Sequence, residues 1–538
     1  MKRTIISVVA LILSATGIIS ARTMKVMGTV SDLQGRPIPG VTVSDSFTAV
    51  QTDSEGKYCF VRNEAANYVH YSIPAGYQVP LRQGIPCFYR KLDRDSVYNF
   101  HLIPLKGKPE KEFNLLFMAD PQSQNVHHVR RFAAETIPDM RAHARKLKGP
   151  DYCITLGDIA YTEGEFNTTY ILPMMKYEME AERTGFPVFQ TNGNHDFIQD
   201  GLSLNEQNPV PELRFLRMFE DIFGPTDYSW NRGDAHIVSM NNVFFEELNL
   251  GKKYHGEFSA TQLEWLRQDL SFVPEDKLVI LCCHIPVWGT KNNGPIIELL
   301  SRFPNCVIYS GHVHANRPDV HPHGIPEYNL AAASGCWWWS RINNDGTPHG
   351  YQVVQISGNR IVNQYWKSTR YPVSFQMRLY HGDSVFGGQF EKDVLPYGPE
   401  VILANVFGWA PGWKVSVYEN GKYSGEMERI NPEGGRSKHP SLTSCQDWWA
   451  IGYHCGVVGR GNIPGSNRNS YISMCTHMFR YTLKDPSAKV KVVAEDTYGN
   501  RYEESSFIAR DAFADGSTVY ETARPPKYPL DPVSEYYH

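Results

Sequence analysis

The chain has 538 residues, with 53 Lys and Arg against 57 Asp and Glu, and a formal net charge of −4. So mild a charge gives no electrostatic case for nucleic acid or an anionic membrane as a partner. Ten cysteines are too sparse for a disulfide scaffold, and the length suits about three domains. At the front, MKRTIISVVALILSATGIISA reads as a secretory signal peptide over residues 1–21. Lys2 and Arg3 form its positive end, Ile5 to Ile19 its apolar stretch, and Ser20 or Ala21 the small residue for cleavage. The apolar stretch falls short of the roughly 20 residues that span a bilayer, and no cysteine lies near the cleavage region for a lipid anchor. The expectation is an exported bacterial protein, periplasmic or secreted, with no membrane anchor after cleavage.

Residues 24–105 lack any helical period. KVMGTVSDLQGRPIPGVTVSD and AVQTDSEGKYCF read as short alternating strands between Gly, Pro and Asp turns. This segment resembles the carboxypeptidase regulatory-like, transthyretin-like β-sandwich at the front of many exported enzymes. LKGKPEK follows as a linker.

Residues 112–368 alternate apolar, strand-like runs with helix-like stretches, the pattern of parallel βαβ units. Five of the runs end in polar motifs. FNLLFMA precedes Asp120-Pro121-Gln122, YCITL precedes Gly157-Asp158, and FPVFQTN precedes Gly193-Asn194-His195-Asp196. LVILCC precedes His284, and CVIYS precedes Gly311-His312-Val313-His314. Ligand sites in α/β sheets lie beyond the carboxyl ends of the strands, so the five motifs are expected to meet. Any one of these residues alone reads as a turn, a helix cap or a buried histidine; a fold has no structural reason to end five strands this way. Asp120, Gln122, Asp158, Asn194, His284, His312 and His314 offer more ligands than one ion takes. Two ions sharing a bridging carboxylate, the arrangement suited to in-line phosphoryl transfer, are therefore expected. His312 and His314, at i and i+2 on a strand end, are expected to point the same way.

These motifs resemble the calcineurin-like metallophosphoesterases, whose pattern is D-x-H, G-D, G-N-H-D/E, a lone H and G-H-x-H, over about Phe113 to Trp366. The resemblance implies a central β-sandwich flanked by helices (αββα) and two divalent metal ions (Mn, Zn or Fe). It makes Asp158 the bridge, puts Asp120, Gln122 and His314 on the first ion, and puts Asn194, His284 and His312 on the second. It leaves His195 outside the metals to assist the leaving group or phosphoryl oxygens, with Asp196 orienting His195. The departure is Gln122, where the pattern has histidine. Its carbonyl would make the first site mostly oxygen and suited to a weakly held, Mn²⁺-like ion; alternatively the change leaves the metals as they were.

Cys336-Trp337-Trp338-Trp339 should lie near the same end of the sheet. Trp337 and Trp338 are candidate substrate contacts by stacking, with core packing the stronger reading. His127 and His128 are expected to be solvated, His236 to be a strand residue, and Arg232-Gly233-Asp234 to be a hairpin turn. His255 precedes a helix with Ser259 as N-cap and Gln262 at its third position. Cys153, Cys282, Cys283 and Cys306 read as small buried hydrophobes, while Cys59 with Cys87, or Cys445 with Cys455, could pair after export. Residues 369–538 are strand-rich again (VILANVFG, KVSVYENG, FRYTLK, KVKVVAEDTYGN), and an Ig-like β-domain is expected. The expected activity is hydrolysis of a small phosphorylated substrate (monoester, diester or nucleotide-sugar pyrophosphate) by a metal-bridging hydroxide. The rival is an exported carbohydrate- or partner-binding protein with a weakened phosphoesterase site.

Overall fold

The computed structural model describes residues 24–510, apart from 94–95, 108–109, 162–166, 198–215, 217–218, 246–253, 339, 386–396, 431–446, 452–453 and 455–474. The signal-peptide stretch, Trp339, Cys445 and Cys455 lie outside the described residues. Among the described residues no helix is long and apolar enough to cross a membrane.

Two sheets form the centre. One has five strands in the order Val188–Phe189, Asp151–Thr155, Glu112–Met118, Gly350–Ser357, Arg360–Ser368, the first three parallel. The other has six, in the order Tyr228–Arg232, Ala235–Ser239, Leu278–Cys282, Asn305–Ser310, Pro326–Asn329, Arg317–Val320. Alternate residues explain the apolar runs. Leu115 and Phe117 face the second sheet, where Phe117 stacks on Tyr309 at 4.0 Å. Leu116 and Met118 face helices Val126–Arg131, Ile137–Ala144 and Leu172–Glu178 on the outside. The second sheet likewise packs Val279, Leu281 and Ile308 against Ala260–Ser271 and Asn293–Leu300. Strands covered on both faces read as continuous hydrophobic runs instead of alternating ones. The αββα expectation is met, with β-domains at both ends.

The N-terminal domain has a three-stranded and a four-stranded sheet, and its Tyr71 and Ile73 join the same apolar core as Trp230. Polar bonds also cross this junction: Trp265 Nε1 donates to Ser44 Oγ at 2.9 Å, and Ser46 Oγ to the Asp227 carbonyl at 2.8 Å. The C-terminal domain has two four-stranded antiparallel sheets around Leu379, Val406, Val417 and Val492. Arg232-Gly233-Asp234 is the hairpin turn between Tyr228–Arg232 and Ala235–Ser239, and the Ser259–Gln262 capping box is present. The four core cysteines are buried, while Cys59 and Cys87 are free thiols, against the pairing considered for them. His128 is buried, not solvated: its Nδ1 accepts the Gln124 amide at 3.2 Å.

Asp227, at the junction, gives a pH test. Burial pushes its carboxyl up to about 6 from 3.8, although Gln262 Nε2 and the Asn241 amide donate to it. Between those values the unfolded chain releases a proton that the folded protein keeps, so stability falls as pH rises through that window. Asp227→Asn is expected to stabilise by roughly 2–3 kcal/mol at about pH 7 and by almost nothing at about pH 4. Equal shifts in thermal midpoint at both pH values would contradict this.

Candidate metal centre

All five motifs leave their strands at carboxyl ends, three from the five-stranded sheet and two from the six-stranded one. The site is the seam between two sheets, so ligands arrive from both layers. The turns that deliver them are tight. Asp120, Gln122, Asp158, His312 and His314 all have left-handed φ, from +34° to +76°. That conformation costs an L-residue on the order of 1–3 kcal/mol and clusters at functional sites. Gly193 and Gly311 are required by close approach: a Cβ on the first would overlap Asp158 Oδ1, and on the second Asp120 Oδ2. His312 and His314 converge for a different reason from the one expected. Their strand ends at Ser310, and it is the two left-handed residues, not strand alternation, that aim the rings.

The donor atoms converge. His284 Nδ1 lies 2.8 Å from the Leu156 carbonyl, which makes that nitrogen the N–H and leaves Nε2 facing the site. Around Nε2 stand Asn194 Oδ1 at 2.9 Å, His312 Nδ1 at 3.2 Å and Asp158 Oδ2 at 3.3 Å. Ligand atoms of Asp158, His284 and His312 all fall within 4.8 Å of one another. Beside them Asp120 Oδ2 accepts the His312 amide at 2.9 Å, and His314 Nε2 lies 3.4 Å from Asp120 Oδ1. Gln122 Nε2 donates to Asp158 Oδ2 at 2.7 Å. Asp120 Oδ1, Gln122 Oε1 and His314 Nδ1 are buried with no hydrogen-bond partner.

The residues around this centre match the family model "Calcineurin-like phosphoesterase" over 113–316. Models of that family's N-terminal and C-terminal parts match 24–105 and 327–502. The chain is a calcineurin-like phosphoesterase with extension domains at both ends. An acid phosphatase type 7 from Danio rerio is 25% identical over 182 residues, 32% of this chain and 35% of that protein. The chain thus spans about a third of the length of that curated relative. Among solved structures, a dimetal phosphatase from Danio rerio is 15% identical with a TM-score of 0.32, covering 48% of this chain and 96% of that one. A 5′-nucleotidase precursor from Thermus thermophilus is 13% identical with a TM-score of 0.30, covering 48% and 55%.

The centre departs from expectation at Asp196. Its Oδ2 accepts the Gly193 amide at 2.7 Å, and its Oδ1 accepts the Ile159 and Ala160 amides at 2.8 and 3.2 Å. Both oxygens are taken by backbone, so Asp196 does not orient His195. It ties two site loops together. His195 stacks instead on Tyr161 with ring centroids 4.0 Å apart, and its amide donates to Asp158 Oδ1 at 2.8 Å. Trp338 is no substrate contact either. It is fully buried, donates Nε1 to the Pro121 carbonyl at 2.7 Å, and lies under the Arg131 guanidinium at 5.3 Å. It braces the Asp120–Gln122 turn from behind. Trp337 is half-buried, 4.9 Å from the His314 ring. Tyr254 packs its ring edge-on to His312 at 5.8 Å. Sequence reading missed Tyr161 and Tyr254 because neither lies in a motif.

Electrostatics test whether the donors suit a cation. Burial alone would raise the Asp158 carboxyl, but the His284 and His195 imidazoles and the His195 amide hold it well below the usual range. Burial alone would lower His284; Asp158 and Asp120 outweigh it and bring the imidazole up to about 9. Burial, with His284 beside it, takes His312 down to about 3. The carboxylates thus hold a positive charge among them. Imidazole, carboxylate and amide oxygen together are the donor set of Zn²⁺, Mn²⁺ and Fe²⁺ sites. The residues fit a divalent metal.

Proposed function

We propose that this phosphoesterase is an exported, two-metal hydrolase of a small phosphate ester. Asp120, Gln122 and His314 would hold one ion, Asn194, His284 and His312 the other, with Asp158 between them. The observation that carries the reading is that two partnerless buried donors, Gln122 Oε1 and His314 Nδ1, and Asp120 Oδ1, which has no hydrogen bond and only His314 Nε2 at 3.4 Å beside it, belong to one ligand set. A polar atom buried without a partner costs about 1–3 kcal/mol, and two such atoms beside a buried carboxylate make sense as ligands. The bound ions would supply a water of lowered pKa and charge compensation for the phosphoryl oxygens. His195, on the rim beside Asp158, would pass a proton to the leaving group. Gln122 makes the first set oxygen-rich, so the two affinities should differ, with Mn²⁺ tolerated there.

Metal content measured alongside hydrolysis of an aryl phosphate monoester and diester, before and after chelation, tests this. Two unequally held ions and chelator-sensitive turnover, restored by Mn²⁺ or Zn²⁺, are expected, and Gln122→His should tighten the weaker site about tenfold or more for Zn²⁺. Turnover that survives complete metal removal would sink the reading. Metal-loaded protein with no turnover on either ester would favour a binding protein. Export is tested by fractionating cells that express the full chain, with cleavage expected after Ser20 or Ala21.

A further inference from the structure

The C-terminal β-domain reaches the metal centre through one buried hydrogen-bonded relay. Asn316 stands two residues beyond His314, and every polar group it has is claimed. Its amide donates to Asp345 Oδ2 at 2.8 Å, and its Oδ1 accepts the Ala331 amide at 2.9 Å. Its Nδ2 donates to the Phe407 carbonyl at 2.8 Å, and its carbonyl accepts from Thr476 Oγ1 at 3.4 Å. Phe407 and Thr476 belong to the C-terminal domain. Asp345, on the turn before strand Gly350–Ser357, is gripped from the same side. His477 Nε2 lies 2.9 Å from Asp345 Oδ2, and Asn405 Nδ2 donates to the Asp345 carbonyl at 2.9 Å.

The orientation of this relay is fixed. Asn405 Nδ2 also donates to Asp447 Oδ2 at 2.8 Å, so its Oδ1 must be the atom 2.7 Å from His477 Nδ1. The His477 ring therefore bonds an acceptor at each end, and His477, Asn405, Asp345 and Asp447 are all fully buried. The same turn steadies the other side of the centre. Asn343 Oδ1 accepts the Ala332 amide at 2.9 Å, and the Ala333 and Ser334 amides donate to the Ala119 and Asp120 carbonyls at 2.7 and 3.3 Å.

We propose that His477 is a positioning residue of the metal centre, through which the C-terminal domain holds His314 and Asp120, via Asp345, in the geometry that binds one of the two ions. This rests on the two-metal reading only for the identity of what is bound. The strained His314 backbone, at φ +54°, lies between the His312 amide, which donates to Asp120 Oδ2, and the Asn316 amide, which donates to Asp345 Oδ2, so the relay holds its C-terminal side. A burial-only role would make His477 one packing residue among many.

The test uses the full chain. His477→Ala, with Asp345→Asn as a nearly isosteric second variant, is compared with Val492→Ala, which thins the C-terminal core away from the relay. Mn²⁺ and Zn²⁺ titrations should show the weaker affinity falling about tenfold or more in both relay variants, the other holding, and neither changing in Val492→Ala. In metal-free protein, amide exchange of peptides over 311–317 should accelerate at least about tenfold in His477→Ala and not in Val492→Ala. This second readout stands even if the wild-type chain binds no metal, an outcome that would defeat the functional reading alone. Exchange over 311–317 that matches Val492→Ala would overturn the relay.

Discussion

In the Asp158→Ala variant, turnover is expected to fall by at least about 10³-fold, with loss of both ions. The carboxylate is 1% exposed, and its two oxygens serve different neighbours. Oδ1 takes the His195 amide at 2.8 Å, while Oδ2 takes Gln122 Nε2 at 2.7 Å and lies 3.3 Å from His284 Nε2. Its side chain therefore touches Gln122 on one side of the centre and His284 on the other. Removal also strands two buried N–H groups, at about 1–3 kcal/mol each. His195→Ala is the informative companion. It should lower turnover about 10²–10⁴-fold, the range of a lost proton-transfer group, with metal content unchanged. Metal analysis of the two variants therefore separates holding ions from moving protons. Two tightly held ions in Asp158→Ala would refute the bridging role.

How much of this centre could be read beforehand depended on whether the information was local. The strands were legible because each is covered on both faces, which turns Leu115–Met118 and Leu278–Cys282 into unbroken apolar runs. The ligand motifs were legible because each sits directly beyond such a run. Side-chain direction was not. His312 and His314 were expected to share a strand face, yet the strand has ended and two left-handed residues do the aiming. For Trp338 core packing was the stronger reading, but its fixed place under Arg131 and against Pro121 depends on residues some two hundred positions away. Tyr161, on a loop, and Tyr254, at the start of the three-residue strand Tyr254–Gly256, pack on site histidines with no motif or periodicity to mark them. The Asp345–His477 relay joins separate domains, and no window of sequence contains both ends.

The Asp196→Ala variant is expected to lose stability first and activity only in consequence. Sequence pattern makes this carboxylate a partner for His195, but it accepts three backbone amides instead, from Gly193, Ile159 and Ala160. Those bonds join the Gly193–Asp196 turn to the loop after Asp158, so both halves of the centre lean on one side chain. Alanine leaves three buried N–H groups without acceptors, a loss of roughly 3–9 kcal/mol. Part of that is offset, because burial, with Asp158 nearby, makes the native carboxyl costly to ionise and brings it up to about 8. A net loss of about 3 kcal/mol lowers the thermal midpoint of a domain this size by roughly 6–12 °C. Asp196→Asn keeps the oxygen that serves Ile159 and Ala160 and gives up only the Gly193 bond. It should therefore melt within a few degrees of wild type, about 2–4 °C per kcal/mol lost, and keep turnover within about tenfold at every pH. A role in orienting His195 predicts similar melting for Asp196→Asn, but turnover down by orders of magnitude and a displaced pH profile. Melting curves and pH–rate profiles of the two variants decide between a clamp and a catalytic partner.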